Sequence, residues 1–210
     1  MRSWAFLASA LATSLAWAIY SFTLMMVFIN PLWVRASIGA VTGLLFGAFA
    51  SAGQYALLFE RLLRPGKWIV LTTLGWTCAG ILVALVSALR VPPDLGAQYA
   101  VGLALGGIIV GLLQWLALKR LSVRLHTFLP ATAAVWALAG FISWQLYERL
   151  YLSDALMLFP GSRPTDTDIG FAKEVLSGLL GASISGLLMG VLTSCVLFFT
   201  ARARNPSPSV

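Results

Sequence analysis

The chain has 210 residues, of which 60% are hydrophobic and only 10% charged, with a formal net charge of +7. A soluble domain of this size carries roughly a quarter charged residues, because its surface must face water. That excludes a water-soluble fold, and with no basic domain or nucleic-acid motif behind the positive charge it excludes DNA or RNA binding as well.

Apolar runs near or above the ~18–20 residues needed to cross the hydrocarbon core recur along the chain. Six spans are expected, at Trp4–Ile29, Val34–Phe59, Trp68–Leu89, Ala97–Leu118, Phe128–Tyr147 and Phe171–Thr200. Backbone amides in a bilayer must be satisfied internally, and no barrel-type alternation is present, so the spans are helices. The fold class is an all-α integral membrane protein, a single transmembrane domain over residues 1–210. The first span follows Met1-Arg2-Ser3 as a signal peptide would, but its apolar run of about 26 residues exceeds the ~7–15 of a signal core. A retained first helix is expected.

Arg2, Arg61, Arg64, Lys67, Lys119, Arg120, Arg124, Arg202 and Arg204 fall on one side of such a topology, against the single acid Glu60. Arg35, Arg90, Arg149, Arg163 and Lys173 fall on the other, with Asp94, Glu148, Asp154, Asp166, Asp168 and Glu174. Lys and Arg in short loops stay in the cytoplasm, so both termini are expected there, in a bacterial cytoplasmic (inner) membrane.

The odd spans share the pattern T-x3-W-x3-[GS]: Thr13, Trp17, Ser21, then Thr72, Trp76, Gly80, then Thr132, Trp136, Gly140. Intervals of four place each set on one helix face. The even spans carry small residues at the same interval. The second has Gly39, Gly43, Gly47 and Ser51; the fourth has Gly102/Gly106 and Gly107/Gly111; the sixth has Gly178, Ala182, Gly186, Gly190 and Ser194. Such stripes let membrane helices approach closely. A glutamine follows a glycine by seven residues at Gln54 and Gln114; in the sixth span the glutamine is missing, the closest equivalent being Thr193, three residues after Gly190, so the third copy has diverged. The unit is a helical hairpin used three times, over about residues 4–60, 64–120 and 124–200. Each unit starts and ends on the same side, so the repeats are parallel and a pseudo-threefold bundle is expected.

Mitochondrial carriers also use three hairpins, but their P-x-[DE]-x-x-[KR] signature does not occur at the ends of the odd spans here. A closer resemblance is to uncharacterised multi-pass proteins of bacteria, cyanobacteria among them, that repeat G-x3-G-x2-Q-[WY]-x2-L-[KR] on one helix and W-x6-G-W on the preceding one. Gly107, Gly111, Gln114, Trp115 and Leu118-Lys119 match the first pattern, and Trp68, Gly75 and Trp76 the second. Gly47, Gln54 and Tyr55 match more loosely, with Ser51 at the second glycine. The resemblance covers about residues 39–145 and implies no activity.

Few residues suggest chemistry. Gln54 and Gln114, with Thr13, Thr72 and Thr132, read either as interhelical hydrogen-bonding groups or as the polar lining of a central path. Trp17, Trp76 and Trp136, with Gly43, Gly47, Gly107, Gly111, Gly186 and Gly190, read as helix packing, with an aromatic-ligand pocket as the alternative for the tryptophans. Trp4, Trp33, Trp68 and Trp144 lie near span ends and suit the interfacial belt. His126 is a lone loop histidine, Cys78 and Cys195 lie in apolar spans as small hydrophobes, and no ionisable residue sits deep in a span. That pattern lacks the acids, bases and nucleophiles of a proton-coupled transporter or intramembrane hydrolase. No catalytic residue, metal site or cofactor is expected.

The connection over residues 148–172 holds a D-x-D at Asp166 and Asp168, which reads as a helix cap or as a cation site. Residues 205–210 form a short Pro/Ser tail expected to be disordered. The functional expectation is an accessory or assembly subunit packing against other membrane helices, either other membrane proteins or a second copy, within the lipid bilayer. The alternative is a passive channel or transporter for a small neutral solute along the repeat axis.

Overall fold

A computed structural model describes residues 3–26, 31–58, 65–89, 95–119, 125–152 and 167–202. They form six α-helices: α1 (Ser3–Met26), α2 (Leu32–Leu58), α3 (Pro65–Leu89), α4 (Leu95–Leu118), α5 (Leu125–Leu152) and α6 (Thr167–Arg202). Every one is long and apolar enough to cross a membrane. The fold is therefore all-α and membrane-spanning, and the six expected spans are the six helices.

Their ends differ from the hydropathy boundaries for local reasons. α3 begins at Pro65, where the missing amide costs nothing because first-turn amides have no intrahelical partner. α5 continues to Leu152, past the charged Glu148 and Arg149, since a helix need not stop where the apolar run does. Together with the start of α6 at Thr167, this makes the two ends of the expected 148–172 loop helical. Its middle, with Asp166, and the 205–210 tail lie outside the described residues, as does the side chain of Asp168.

Each helix packs against its neighbours in the chain, and α6 returns against α1, closing a ring. The glycine stripes sit inside these contacts. Gly39 of α2 faces Gly80 of α3 so closely that a Cβ on Gly39 would stand 2.7 Å from the Gly80 carbonyl oxygen. One and two turns further along α2, Gly43 and Gly47 lie on the backbone of Trp76 and on its Cβ. Gly107 repeats the second contact on α5, where a Cβ would come within 2.6 Å of the Trp136 Cβ, and Gly111 faces Thr132. Gly186 and Gly190 of α6 lie on Ser14, Ala18 and Ala10 of α1. These glycines of α2, α4 and α6 thus lie on α3, α5 and α1 respectively, whereas Gly102 and Gly106 of α4 lie on Val83 and Ala79 of the preceding helix α3. Without a hydrophobic effect between helices in lipid, close backbone approach of this kind supplies the packing energy.

The outward faces are the bulky ones. Leu7, Leu11, Leu15 and Ile19 of α1, Val41, Leu44 and Leu45 of α2, and Leu105, Ile108 and Leu112 of α4 are all exposed. In a bilayer these side chains meet acyl chains, so the helices are apolar all round and their polar residues turn inward.

Candidate functional site: the polar and aromatic axis

Of the T-x3-W-x3-[GS] residues, the three tryptophans meet one another inside the bundle, whereas Gly80 lies on Gly39 of α2 and Gly140 on Leu103 of α4. Trp17, Trp76 and Trp136 are essentially fully buried and touch one another, with ring centroids 6.2 Å apart for Trp17–Trp76 and 5.1 Å for each of the other two pairs. The rings meet edge-to-face at 82°, 87° and 73°, the arrangement their quadrupoles favour. Tyr20 adds a fourth ring, 5.2 Å from Trp76 and 6.4 Å from Trp136. At this depth the axis is filled with aromatic carbon. Gly47 and Gly107 contribute by letting α2 and α4 lie directly on the Cβ atoms of Trp76 and Trp136. The indole of Trp17 donates to Ser185 Oγ of α6 at 3.2 Å.

Towards the end of the bundle that carries the starts of α1, α3 and α5 lies a polar layer. Gln114 Nε2 donates to Gln54 Oε1 at 3.3 Å, and Gln54 Nε2 donates to Thr13 Oγ1 at 3.1 Å. Both glutamines are almost completely buried, and they form a chain from α4 through α2 to α1. Thr132 caps its own helix backbone, donating to the Phe128 carbonyl at 3.0 Å. Thr72, wholly buried, has no partner for its hydroxyl. The expected polar set of Gln54, Gln114, Thr13, Thr72 and Thr132 is therefore buried, with Gln114 bonded through its amide N–H to Gln54 and Gln54 in turn to Thr13. Thr193 joins the layer from α6, where a cavity between α4, α5 and α6 is lined by Gln114, Thr132 and Thr193 among apolar side chains.

Beyond the tryptophans on the opposite side is a hydroxyl knot that sequence reasoning did not single out. Ser21 Oγ lies 2.8 Å from Tyr99 Oη and 2.8 Å from Ser143 Oγ, and Tyr99 Oη also donates to the Ser21 carbonyl at 3.2 Å. All three bonds are satisfied together when Ser143 donates to Ser21 and Ser21 donates to Tyr99. Ser21 was visible in the sequence as the serine of the T-x3-W-x3-[GS] pattern, where α3 and α5 have Gly80 and Gly140. Tyr99 and Ser143 carried no periodic signal. A second unflagged pair, Ser9 and Ser194, joins α1 to α6 at 2.8 Å.

One placement is corrected. Trp68 does not belong to an interfacial belt: it is wholly buried in a second cluster with Leu57, Leu58, Leu118, Phe128 and Leu197, and its indole N–H has no partner. The helix ends are packed together there, so a tryptophan facing into the bundle meets protein rather than headgroups. Trp144 is half-buried, packed on Tyr99 and Tyr147. Trp4 and Trp33 are exposed at helix starts, as a belt requires.

The axis hydroxyls bond mostly to one another, to amides or to backbone, while Thr72 has no partner and Thr193 donates to the Met189 sulfur. Among the described residues no three of His, Cys, Asp or Glu come together. Cys78 and Cys195 are free thiols, the former on the outward surface, and His126 is exposed at the start of α5. Fold and axis together define a multi-pass α-helical membrane protein, a ring of six helices around a closed aromatic and hydrogen-bonded core. A comparison with protein families, curated proteins and solved structures finds no match.

Proposed function

We propose that the chain is a non-catalytic accessory or assembly subunit of the bacterial cytoplasmic membrane, with both termini in the cytoplasm, that packs against other membrane helices. In this reading α1–α2, α3–α4 and α5–α6 are three parallel hairpin repeats about a pseudo-threefold axis, as in the bacterial multi-pass proteins whose motifs the chain resembles. The observation that carries it is the closed axis. The three indoles touch at 5.1–6.2 Å, and Gln54 and Gln114 hydrogen-bond to each other. Glycines and polar groups alike are used within the bundle, leaving Leu, Val, Ile and Phe outside for lipid or a partner helix. Passage of a small neutral solute, the competing function, requires the tryptophans to separate.

Two experiments test this. Purification in a mild detergent should bring a defined partner chain or a second copy in stoichiometric amount. Single cysteines placed at Gln54 and Gln114, in a background with Cys78 and Cys195 replaced, should resist a water-soluble thiol reagent from both sides. Labelling of either from either side would turn the reading to a solute path.

A further inference from the structure

Beside Gln114, polar groups line a small cavity between α4, α5 and α6. It is lined by Gln114, Thr132 and Thr193 together with Phe128, Val135, Val196 and Leu197. Counted as the room open to the centre of a water molecule, its volume is about 10 Å³, close to the minimum that holds one water. All three polar residues are more than nine-tenths buried, so bulk solvent does not serve them.

Their existing hydrogen bonds leave capacity for another partner. The Thr193 hydroxyl has as its acceptor the thioether sulfur of Met189, at 3.6 Å. Sulfur is a weak acceptor, and at that distance the donor is poorly satisfied. The Thr132 hydroxyl donates to the Phe128 carbonyl and keeps its lone pairs. Gln114 uses its amide N–H towards Gln54, which turns the side-chain carbonyl to acceptor duty elsewhere. One donor and two acceptors around a water-sized space match the roughly three bonds a buried water makes.

The sequence supplies a reason for the space. Gly47, Gly107 and Gly186 are each followed seven residues later by Gln54, Gln114 and Thr193. Threonine has two fewer side-chain heavy atoms than glutamine, so the third position leaves room where the other two carry an amide. We propose that this cavity is a binding site for a single structural water, which accepts from Thr193 and donates to Gln114 and Thr132, replacing the third glutamine's amide in the layer. The cavity argument stands by itself, whereas the account of its origin rests on the repeat reading above.

Structures of the full chain in lipid nanodiscs, at a resolution that shows ordered water, test it with three sequences. The unsubstituted protein should show a water peak about 2.7–3.2 Å from Thr193 Oγ1 and Gln114. Thr193→Val keeps the shape and removes the donor; the peak should vanish and the unfolding equilibrium constant should rise about five- to tenfold, the usual effect of stranding buried polar groups. A site without density in the unsubstituted protein, or a Thr193→Val protein as stable as the parent, overturns the proposal. Thr193→Gln separates the two ideas. An amide that occupies the site, bonds to Gln114 and leaves stability unchanged or higher supports the repeat origin. A destabilised Thr193→Gln beside a hydrated parent site refutes that origin and leaves the water in place.

Discussion

The sharpest prediction concerns Gly43, because its surroundings are backbone and cannot step aside. A Cβ built there would stand 2.5 Å from the Trp76 carbonyl oxygen and 2.7 Å from Thr77 Cα. Ordinary carbon contacts are ~3.5–4.0 Å, so α2 and α3 must separate by roughly 1 Å to admit one methyl group. A gap of that order forfeits about a quarter to a half of each dispersion contact along the interface, and overpacking of this kind costs ~1–3 kcal/mol. Alanine returns up to ~1 kcal/mol through its better helix propensity. A net loss of about 1–2 kcal/mol is expected for Gly43→Ala. Gly66, in the first turn of α3, has nothing within 4 Å of its notional Cβ. Gly66→Ala therefore feels only the propensity term and should be neutral or slightly stabilising. Equilibrium unfolding of both variants in mixed micelles measures the difference, and the comparison largely removes the propensity contribution. Equal shifts for the two variants would refute close backbone packing of α2 on α3.

Further outcomes follow from the axis. Trp136→Ala removes a ring that touches both Trp17 and Trp76 and should cost about 3–5 kcal/mol in the same assay, as buried Trp truncations do. A double-mutant cycle of Gln54→Leu and Gln114→Leu should give a coupling of ~0.6 kcal/mol and no more than ~1.7, the range for membrane hydrogen bonds; strict additivity would mean the amides do not bond. Ser21→Ala removes the hydroxyl that Ser143 meets, while Tyr99 keeps the Ser21 carbonyl as acceptor, and should cost ~1–3 kcal/mol, whereas the exposed Thr23, whose hydroxyl donates to its own helix at Ile19, should tolerate alanine with little change. Reporter fusions within the α5–α6 connection should be active only on the extracytoplasmic side, and cytoplasmic activity would invert the topology.

Arg35, in the first turn of α2, illustrates a different use of polarity. Arg35 donates from Nη1 to Ser87 Oγ of α3 at 2.8 Å, which ties the two helices where the glycine contact of Gly39 and Gly80 ends. Long cationic side chains at helix ends reach polar partners in this way while their stems stay in apolar surroundings.

Class and helix count were legible in the composition because the bilayer allows so few solutions: six long apolar runs must be helices. The inward faces were legible too, through small and polar residues at intervals of four rather than through hydrophobicity. A helix apolar on every side carries almost no amphipathic signal, so Leu11 and Trp17 look equally buried by hydropathy. Only the repeated threonine, tryptophan and glycine positions separated them. Sequence thus determined which residues of α1, α3 and α5 share a face.

Tertiary structure decided what those faces meet. That Gly47 and Gly107 lie on the Cβ atoms of the next odd helix's tryptophan, and that three such tryptophans converge edge-to-face, depends on ring closure between α6 and α1 across the whole chain. The Ser21–Tyr99–Ser143 knot joins residues 78 and 122 positions apart, and neither Tyr99 nor Ser143 stands out from its own helix. Trp68 shows the same limit: a tryptophan near a span end suits a headgroup belt equally well by sequence, and only the convergence of the helix ends makes its position interior. Local periodicity records which side of a helix is inward, because that is a property of one helix. Which inward groups pair is a property of the bundle.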